Sequence, residues 1–171
     1  MKLPWRKKQQ PPPEAVRVLV VCMGNICRSP MAEGIFRREI DRAGLQDMVA
    51  IDSAGTHDYH IGRPPDPRAQ SAIGRRGVDI SGLRGRQVAD TDFEAFDYIL
   101  AMDNANLSIL KGNAPPHARE KVRLLLSYSG KFHNQEVPDP YYGGASGFEE
   151  NLDMIEDAVA GLIDDLRNAL R

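Results

Sequence analysis

The sequence predicts one α/β domain in which a parallel sheet carries helices on both faces. Three observations support this fold class. Short apolar runs alternate with longer segments of helical spacing, as in successive βαβ units. The first apolar run is almost uninterrupted, which is typical of a strand covered on both faces. The 171 residues are enough for one sizeable core, and they contain no internal repeat.

Four apolar runs are the predicted strands. They lie at residues 16–21, 48–53, 96–102 and 121–127, and valine dominates the first of them. In parallel sheets of this kind, ligands bind beyond the carboxyl ends of the strands. We therefore expect a binding site where the first strand ends.

Three helices are predicted between and after these strands. The first has Ser29 as its N-cap and Pro30 at its first helical position, and Gly44 ends it. The second is expected to start near Pro67 and to end by Gly77. The third is the longest, and one apolar stripe runs along it, formed by Phe148, Leu152, Ile155, Val159, Leu162, Ile163, Leu166 and Leu170.

The composition limits the class of protein. Apolar residues make up 42% and charged residues 27%, as in ordinary soluble domains. The net charge of -2 gives no reason to expect nucleic acid or an anionic membrane as partner. No apolar run is long enough to span a membrane. Two cysteines are too few for a secreted disulfide framework, so we expect a reducing cytoplasm.

Residues 1–14 are predicted to form a flexible tail outside the domain, which then occupies residues 15–171. The tail begins with basic residues like an export signal, but no apolar core follows them. Three consecutive prolines favour an extended chain instead.

The segment Cys22–Ser29, "CMGNICRS", follows the first predicted strand and holds both cysteines. Five residues separate Cys22 from Arg28, which lets successive backbone N–H groups curl around an anion. The helix behind this loop turns its positive end toward the same point. Arg28 adds a planar, charged fork that matches two phosphate oxygens. The segment is therefore predicted to be a phosphate-binding loop.

Cys22 is the predicted nucleophile of this loop. The surrounding dipoles favour its thiolate form, and Ser29 can donate a hydrogen bond to the sulfur. Gly24 removes side-chain bulk where the backbone approaches the ligand, and Asn25 tolerates a left-handed backbone. A thiolate at the floor of an anion-binding cup can attack phosphorus.

Other interpretations of the cysteines compete with this one. A lone cysteine at a strand end is usually a small buried hydrophobe. Zinc is disfavoured because two thiols without a second Cys/His pair cannot close a tetrahedral site, so neither a metal nor another cofactor is predicted. A nucleotide-binding P-loop is excluded by the missing Gly-Lys-Ser/Thr. The order of strand, glycine-bearing loop, arginine and capped helix favours the catalytic interpretation.

The best candidate for a general acid lies in "EVPDPYYGG", residues 136–144. The leaving group of a phosphate monoester must be protonated, and Asp139 lies in a loop stiffened by two prolines. Tyr141 and Tyr142 could wall a cleft for a flat aromatic substrate. A surface turn whose tyrosines pack on the domain is the alternative interpretation.

The chain from about residue 15 to residue 170 resembles the low-molecular-weight protein tyrosine phosphatases. "VCMGNICRSPMAEG" is similar to the phosphate-binding signature of that family, and "DSAGTHDYHIGRPPD", "FDYILAMD" and "DPYYGG" resemble its other segments in the same order. The resemblance implies a four-stranded parallel sheet and metal-free hydrolysis of phosphotyrosine through a phosphocysteine. It implies Cys22 as nucleophile, Arg28 as phosphate clamp, and Asp139 as the acid and then the base for water.

The same resemblance implies supporting roles. Ser29 would activate the thiolate, and Cys27 would form a reversible disulfide with Cys22 under oxidation. Tyr59 would form one wall of the cleft with Tyr141 and Tyr142 of the acid loop, residues 136–144. The implied partner is a tyrosine-phosphorylated protein, for which a bacterial tyrosine kinase is one candidate. The other predicted members of the phosphate loop and its support are Met23, Gly24, Asn25, Ile26 and Ser53.

Two departures and three rival activities accompany the resemblance. Gly82 stands where many relatives carry a histidine that braces the phosphate loop, and the N-terminal tail has no counterpart. Phosphoarginine phosphatases of this fold tend to have threonine where this chain has Ile26. A cysteine-phosphorylated sugar-transport subunit would need neither Asp139 nor Arg28. Arsenate reduction would need further cysteines after Cys27 to relay a disulfide.

Overall fold

The computed structural model describes residues 11–141 and 144–170. Most of the predicted tail, residues 1–10, therefore lies outside the described residues. Four parallel strands form one sheet in the order β2-β1-β3-β4, which confirms the predicted fold class. The strands are β1 (Val16–Cys22), β2 (Val49–Gly55), β3 (Tyr98–Ala101) and β4 (Val122–Leu124).

Helices cover both faces of this sheet because successive residues of β1 are apolar on opposite faces. The helices within the described residues are α1 (Arg28–Arg42), α2 (Pro67–Gly74), α3 (Asp92–Ala95), α4 (Asn104–Asn113) and α5 (Ala145–Ala169). Val18 and Val20 pack with α1, α2 and α5, whereas Leu19 and Val21 pack with α3 and α4.

The start of α1 differs from its prediction. Cys27 occupies the N-cap position, so Ser29 lies inside the first turn and its predicted capping role is wrong. The hydroxyl of Ser29 is used in the site described below. The predicted end of this helix is confirmed, since Gly44 follows the C-cap with a φ of +69°, a conformation that glycine adopts without strain.

The second helix runs from Pro67 to Gly74, which agrees with its predicted start near Pro67 and its predicted end by Gly77. Three further elements differ from expectation. β4 has only three residues because Leu125–Tyr128 turns into a 3-10 helix. The helices α3 and α4 were not predicted. α3 is a single turn. α4 buries only Asn106 and Leu110, which are too few residues to give a recognisable apolar stripe in the sequence.

The register of the sheet brings three strand ends together. Cys22 at the end of β1 lies opposite Gly55 of β2, and Val21 lies opposite Ala101 of β3. The loops that follow these strands therefore meet at one edge, where the sequence predicts the site. No helix among the described residues combines the length and apolar character that a membrane crossing requires.

Candidate active site

A cavity of about 250 Å³ opens at the carboxyl end of β1. The loop after β1 forms its floor, and segments near residues 60 and 140 form its walls. Most of the predicted site residues meet here, together with His60, which sequence analysis did not single out. The lining residues are Cys22, Met23, Gly24, Ile26, Cys27, Arg28, Tyr59, His60, Asp139 and Tyr141.

The Cys22 sulfur lies at the floor and is 2% exposed. Its Sγ atom is 3.0 Å from the Oγ atom of Ser29. The same Oγ accepts a hydrogen bond of 2.8 Å from the Nδ2 group of Asn25. The single hydroxyl proton of Ser29 has two possible acceptors, the sulfur and the Ala54 carbonyl oxygen, which is 3.4 Å away. The sulfur is the nearer of the two, so the Ser29 hydroxyl lies where it can donate to Cys22.

Asn25 fixes the shape of the loop. Its φ of +56° places it in the left-handed region that its residue type tolerates. Its Nδ2 group also donates to Ser53 Oγ at 3.0 Å, and its Oδ1 atom accepts from the backbone N–H of Arg86 at 3.0 Å. Both polar ends of this buried side chain are therefore bound, as a rigid loop requires.

A buried carboxylate supports Asn25 from behind. Ser53 Oγ donates a hydrogen bond of 2.8 Å to Glu33 Oε1, and Arg37 donates one of 3.0 Å to Glu33 Oε2. Glu33 is fully buried in α1. Sequence analysis missed it, and the signal was a charged residue on the apolar face of a predicted helix, where an ion pair or hydrogen bonds are needed.

The backbone at Arg86, four residues after Gly82, supports the phosphate loop. The guanidinium of Arg86 is held by Asp52 at 3.1 Å and by Asp92 at 2.9 Å. This pairing fixes the backbone N–H that binds Asn25. The loop is therefore braced through a main-chain donor.

Arg28 lies beneath the cavity and is 1% exposed. Its Nη1 atom donates to Asp103 Oδ2 at 2.6 Å and to the Val137 carbonyl oxygen at 3.0 Å, and its Nη2 atom is 3.5 Å from Asp139 Oδ2. Burial lowers the pKa of Arg28, but the negative charges of Cys22, Asp103 and Asp139 hold that pKa above its ordinary value. The group stays charged and faces the anion-binding loop.

Asp103 is a second residue that sequence analysis missed. It is the N-cap of α4, and its Oδ1 atom accepts from the N–H of Asn106 at 2.8 Å while its Oδ2 atom holds Arg28. The available signal was its position directly after the third apolar strand.

Asp139 lies across the cavity from the phosphate loop. Its side chain is 34% exposed, and its Oδ1 atom accepts the N–H of Tyr141 at 3.0 Å. Asn151 of α5 donates to the carbonyl of Pro138 at 3.0 Å. The segment is an exposed turn, as the alternative interpretation supposed, but its carboxylate lines the cavity.

Aromatic side chains form the rim. Tyr59 is 65% exposed and stacks on His57 at a centroid distance of 5.0 Å. Tyr141 is partly exposed on the other wall, and the guanidinium of Arg68 lies 5.5 Å from its ring centre. The predicted wall residue Tyr142 lies outside the described residues. The rim fits a flat, apolar group.

The two cysteines have different environments, although both are free and buried. Burial, followed by the negative charges of Asp66 and Cys22, raises the pKa of Cys27 to about 12. Cys27 is therefore a thiol at neutral pH. Among residues 11–141 and 144–170, no three His, Cys, Asp or Glu side chains are grouped as metal ligands would be.

Comparison with known proteins finds similarity to one protein family over nearly the whole domain. The family model for low molecular weight phosphotyrosine protein phosphatases matches residues 17–171. The chain is 44% identical over 150 residues to a low molecular weight protein-tyrosine-phosphatase of Streptomyces coelicolor, which covers 86% of this chain and 91% of that protein. A protein tyrosine phosphatase from Entamoeba histolytica superposes with a TM-score of 0.88 at 38% identity, covering 92% of this chain and 100% of that one. YfkJ from Bacillus subtilis gives a TM-score of 0.86 at 38% identity, covering 92% and 98%.

Proposed function

The chain belongs to the low molecular weight phosphotyrosine protein phosphatase family, and from this membership we propose how its residues hydrolyse phosphotyrosine. One observation carries the proposal: Cys22, Arg28 and Asp139 converge on a single cavity. A nucleophile, an anion clamp and a proton donor are the three groups that hydrolysis of a phosphate monoester needs.

In the first step, the Cys22 thiolate attacks phosphorus. The bond between phosphorus and the tyrosine oxygen breaks, and its electron pair leaves with that oxygen. Asp139 donates its proton to the leaving oxygen. Arg28 and the backbone N–H groups of the loop hold the three other phosphate oxygens. The products of this step are free tyrosine on the protein substrate and a phosphocysteine.

In the second step, the Asp139 carboxylate takes a proton from water while the water oxygen attacks phosphorus. The sulfur–phosphorus bond breaks and the Cys22 thiolate leaves, with the Ser29 hydroxyl 3.0 Å away to stabilise it. Inorganic phosphate is released, and Asp139 is again protonated. The same carboxyl group thus serves both steps.

The shape of the cavity supports an aryl substrate. Because the nucleophile is 2% exposed, a substrate must project its phosphate on a long arm, and a tyrosine ring provides one. Ile26 contributes apolar bulk to the lining, and Tyr59 and Tyr141 contribute aromatic surface.

The test compares three phosphopeptides in metal-free buffer. Wild-type protein is expected to release phosphate from a phosphotyrosine peptide much faster than from phosphoserine or phosphoarginine peptides, and Cys22→Ser is expected to release none. Rapid quenching followed by mass spectrometry should find a phosphoryl group on Cys22. Preference for phosphoarginine, or turnover by Cys22→Ser, would contradict the proposal.

The proposed partner is a tyrosine-phosphorylated protein of the cytoplasm, with a bacterial tyrosine kinase as the candidate implied by the family resemblance. Two free thiols in one site support a reducing compartment. Cys22→Ser protein should retain such a partner from a lysate of the source cell, and excess phosphotyrosine should release it. Retention that ignores phosphotyrosine would contradict a phosphate-directed partner.

A redox role for Cys27 is also proposed. Peroxide would oxidise the Cys22 thiolate to a sulfenic acid, and the Cys27 sulfur would then displace water to form a disulfide. Mild peroxide should inactivate wild-type protein, and dithiothreitol should restore it. Cys27→Ala protein is expected to recover poorly, because its sulfenic acid proceeds to irreversible acids. Equal recovery of the variant would rule out the pairing.

A further inference from the structure

The segment that carries Asp139 is docked against the end of β3 and the start of α4. Val137 is fully buried, and its N–H donates to the Met102 carbonyl at 2.8 Å. The Val137 carbonyl accepts from Arg28 at 3.0 Å. These bonds fix the depth of the loop two residues before its carboxylate.

Glu136 makes a further contact in this docking. Its Oε1 atom accepts a hydrogen bond of 2.7 Å from the backbone N–H of Asn104. Asn104 is the first residue of α4, and the first N–H groups of a helix have no partner within the helix. Asp103, the N-cap, binds the N–H of Asn106 instead. Two carboxylates therefore share the positive end of α4, and one of them comes from the acid loop.

The other hydrogen bonds near the Asp139 carboxylate do not tie the loop to α4. The bond from the Tyr141 N–H to Asp139 Oδ1 is internal to the loop and moves with it. Asn151 holds the Pro138 carbonyl from α5. Glu136 is therefore the side chain of the loop that ties it to the element bearing Asp103, the partner of Arg28.

We propose that Glu136 is a positioning residue for the general acid: its bond to α4 holds Asp139 over the phosphate loop. The inference rests on the acid role proposed above for Asp139. Proton transfer depends on the distance from the carboxyl group to the leaving oxygen, so a loosened loop slows the reactions that need the proton. Reactions with good leaving groups need it less.

The experiment measures kcat/KM for a series of aryl phosphates, from 4-nitrophenyl phosphate, whose leaving group is good, to phenyl phosphate and phosphotyrosine, whose leaving groups are poor. Four variants are compared with wild type: Glu136→Ala, Glu136→Gln, Asp139→Asn and Gln135→Ala. The last is the matched control, since Gln135 is the exposed neighbour of Glu136 and its side chain makes no hydrogen bond within the described part of the chain.

Glu136→Ala should lower kcat/KM for phenyl phosphate and phosphotyrosine about three- to tenfold, and that for 4-nitrophenyl phosphate less than about twofold. Asp139→Asn should show the same pattern with larger losses. Glu136→Gln retains an acceptor oxygen and should recover most of the loss, and Gln135→Ala should match wild type.

Three results would overturn the inference, and they can be told apart. Equal slowing of all substrates by Glu136→Ala, or none, would remove the positioning role and leave the proposed function intact. A glutamine variant as slow as the alanine variant would show that the charge of Glu136 matters, not its bond to α4. If Asp139→Asn itself shows no dependence on the leaving group, the acid assignment fails and the inference fails with it.

Discussion

The phosphate loop and the acid loop face each other across one cavity, but they differ in how deeply their side chains and contacts are buried. Cys22, Asn25 and Arg28 are at most 3% exposed, and the hydrogen bonds of the first two to Ser29 and Ser53 are buried. Asp139 is one-third exposed on a loop whose side-chain tether, from Glu136, lies at the surface. The proposed nucleophile and clamp are therefore built into the core, whereas the proposed acid lies on a loop attached to it.

This difference in burial fits the roles proposed for the two loops. In the proposed mechanism the phosphate loop presents its donors in one geometry while charge develops, and a buried network costs little reorganisation at that moment. The proposed acid has to reach the leaving oxygen in one step and a water molecule in the next. A substitution in the phosphate loop should therefore lower kcat/KM strongly for every substrate. A substitution in the acid loop should lower kcat/KM by an amount that depends on the substrate and on pH.

Arg28→Lys tests the buried side and should have the largest effect. An ammonium group cannot hold Asp103, the Val137 carbonyl and two phosphate oxygens together, so kcat/KM for phosphotyrosine should fall about 10³-fold. Steady-state kinetics measures the loss. Arg42→Lys, the same change at an exposed position of α1, is the control and should match wild type. A loss of Arg28→Lys below tenfold would show that the clamp needs only a charge.

Asp139→Asn tests the exposed side through the pH profile. Wild-type kcat/KM should be highest at acidic to neutral pH, because the proposed mechanism needs a proton on Asp139 and a thiolate at Cys22 at the same time. Asparagine has no carboxyl proton to lose, so the loss of that proton can no longer lower kcat/KM of the variant at alkaline pH. Its activity on phosphotyrosine at the optimum should drop about 10²-fold. A strictly alkaline wild-type optimum would contradict this pairing of roles.

The same contrast explains what the sequence could predict. β1 and α1 are local patterns, since a run of valines favours a strand and the residue types of the loop fit a tight anion-binding turn. Asn25 is an example, because its tolerance of a left-handed backbone is visible in the residue itself and its φ is +56°. The floor of the cavity was therefore largely predictable from one short segment.

The supports of that floor were not predictable, because they are contacts between distant segments. Arg86 meets Asn25 across 61 positions, and Asp103 meets Arg28 across 75. Periodicity carries no information about such pairs. Ser29 shows the opposite error: its residue type favours a helix cap, but its hydroxyl contacts the sulfur and accepts a hydrogen bond from Asn25 instead.

Ser53→Ala tests the support of the phosphate loop at a point that touches no substrate. It removes the bond to Asn25 and leaves Glu33 Oε1 without its 2.8 Å donor, so the free energy of unfolding should fall about 1–3 kcal/mol. A less restrained Asn25 should also lower kcat/KM by about tenfold. Urea unfolding and steady-state kinetics measure the two effects. Ser71→Ala on the exposed face of α2 is the matched control, and equal stability of both variants would contradict the support role.

Cys27→Ala should have the smallest effect near neutral pH. Only in alkaline solution should its stability relative to wild type change with pH. In the folded protein the pKa of Cys27 is raised from 9.0 to about 12, first of all by burial. Below pH 9, folded and unfolded chains both keep the proton, so the stability difference between wild type and variant is constant. Between pH 9 and pH 12 only the unfolded chain loses it, and the wild type should lose up to about 1.4 kcal/mol per pH unit relative to the variant.

Urea unfolding of both proteins at pH 8, 9, 10 and 11 measures this difference, and the titration of other groups largely cancels because both chains contain them. A difference that stays constant up to pH 11 would show that the Cys27 thiol is no harder to ionise in the folded protein than in the unfolded chain. A shrinking difference would establish that burial keeps the Cys27 thiol protonated in the folded protein up to alkaline pH, on the buried side of the cavity.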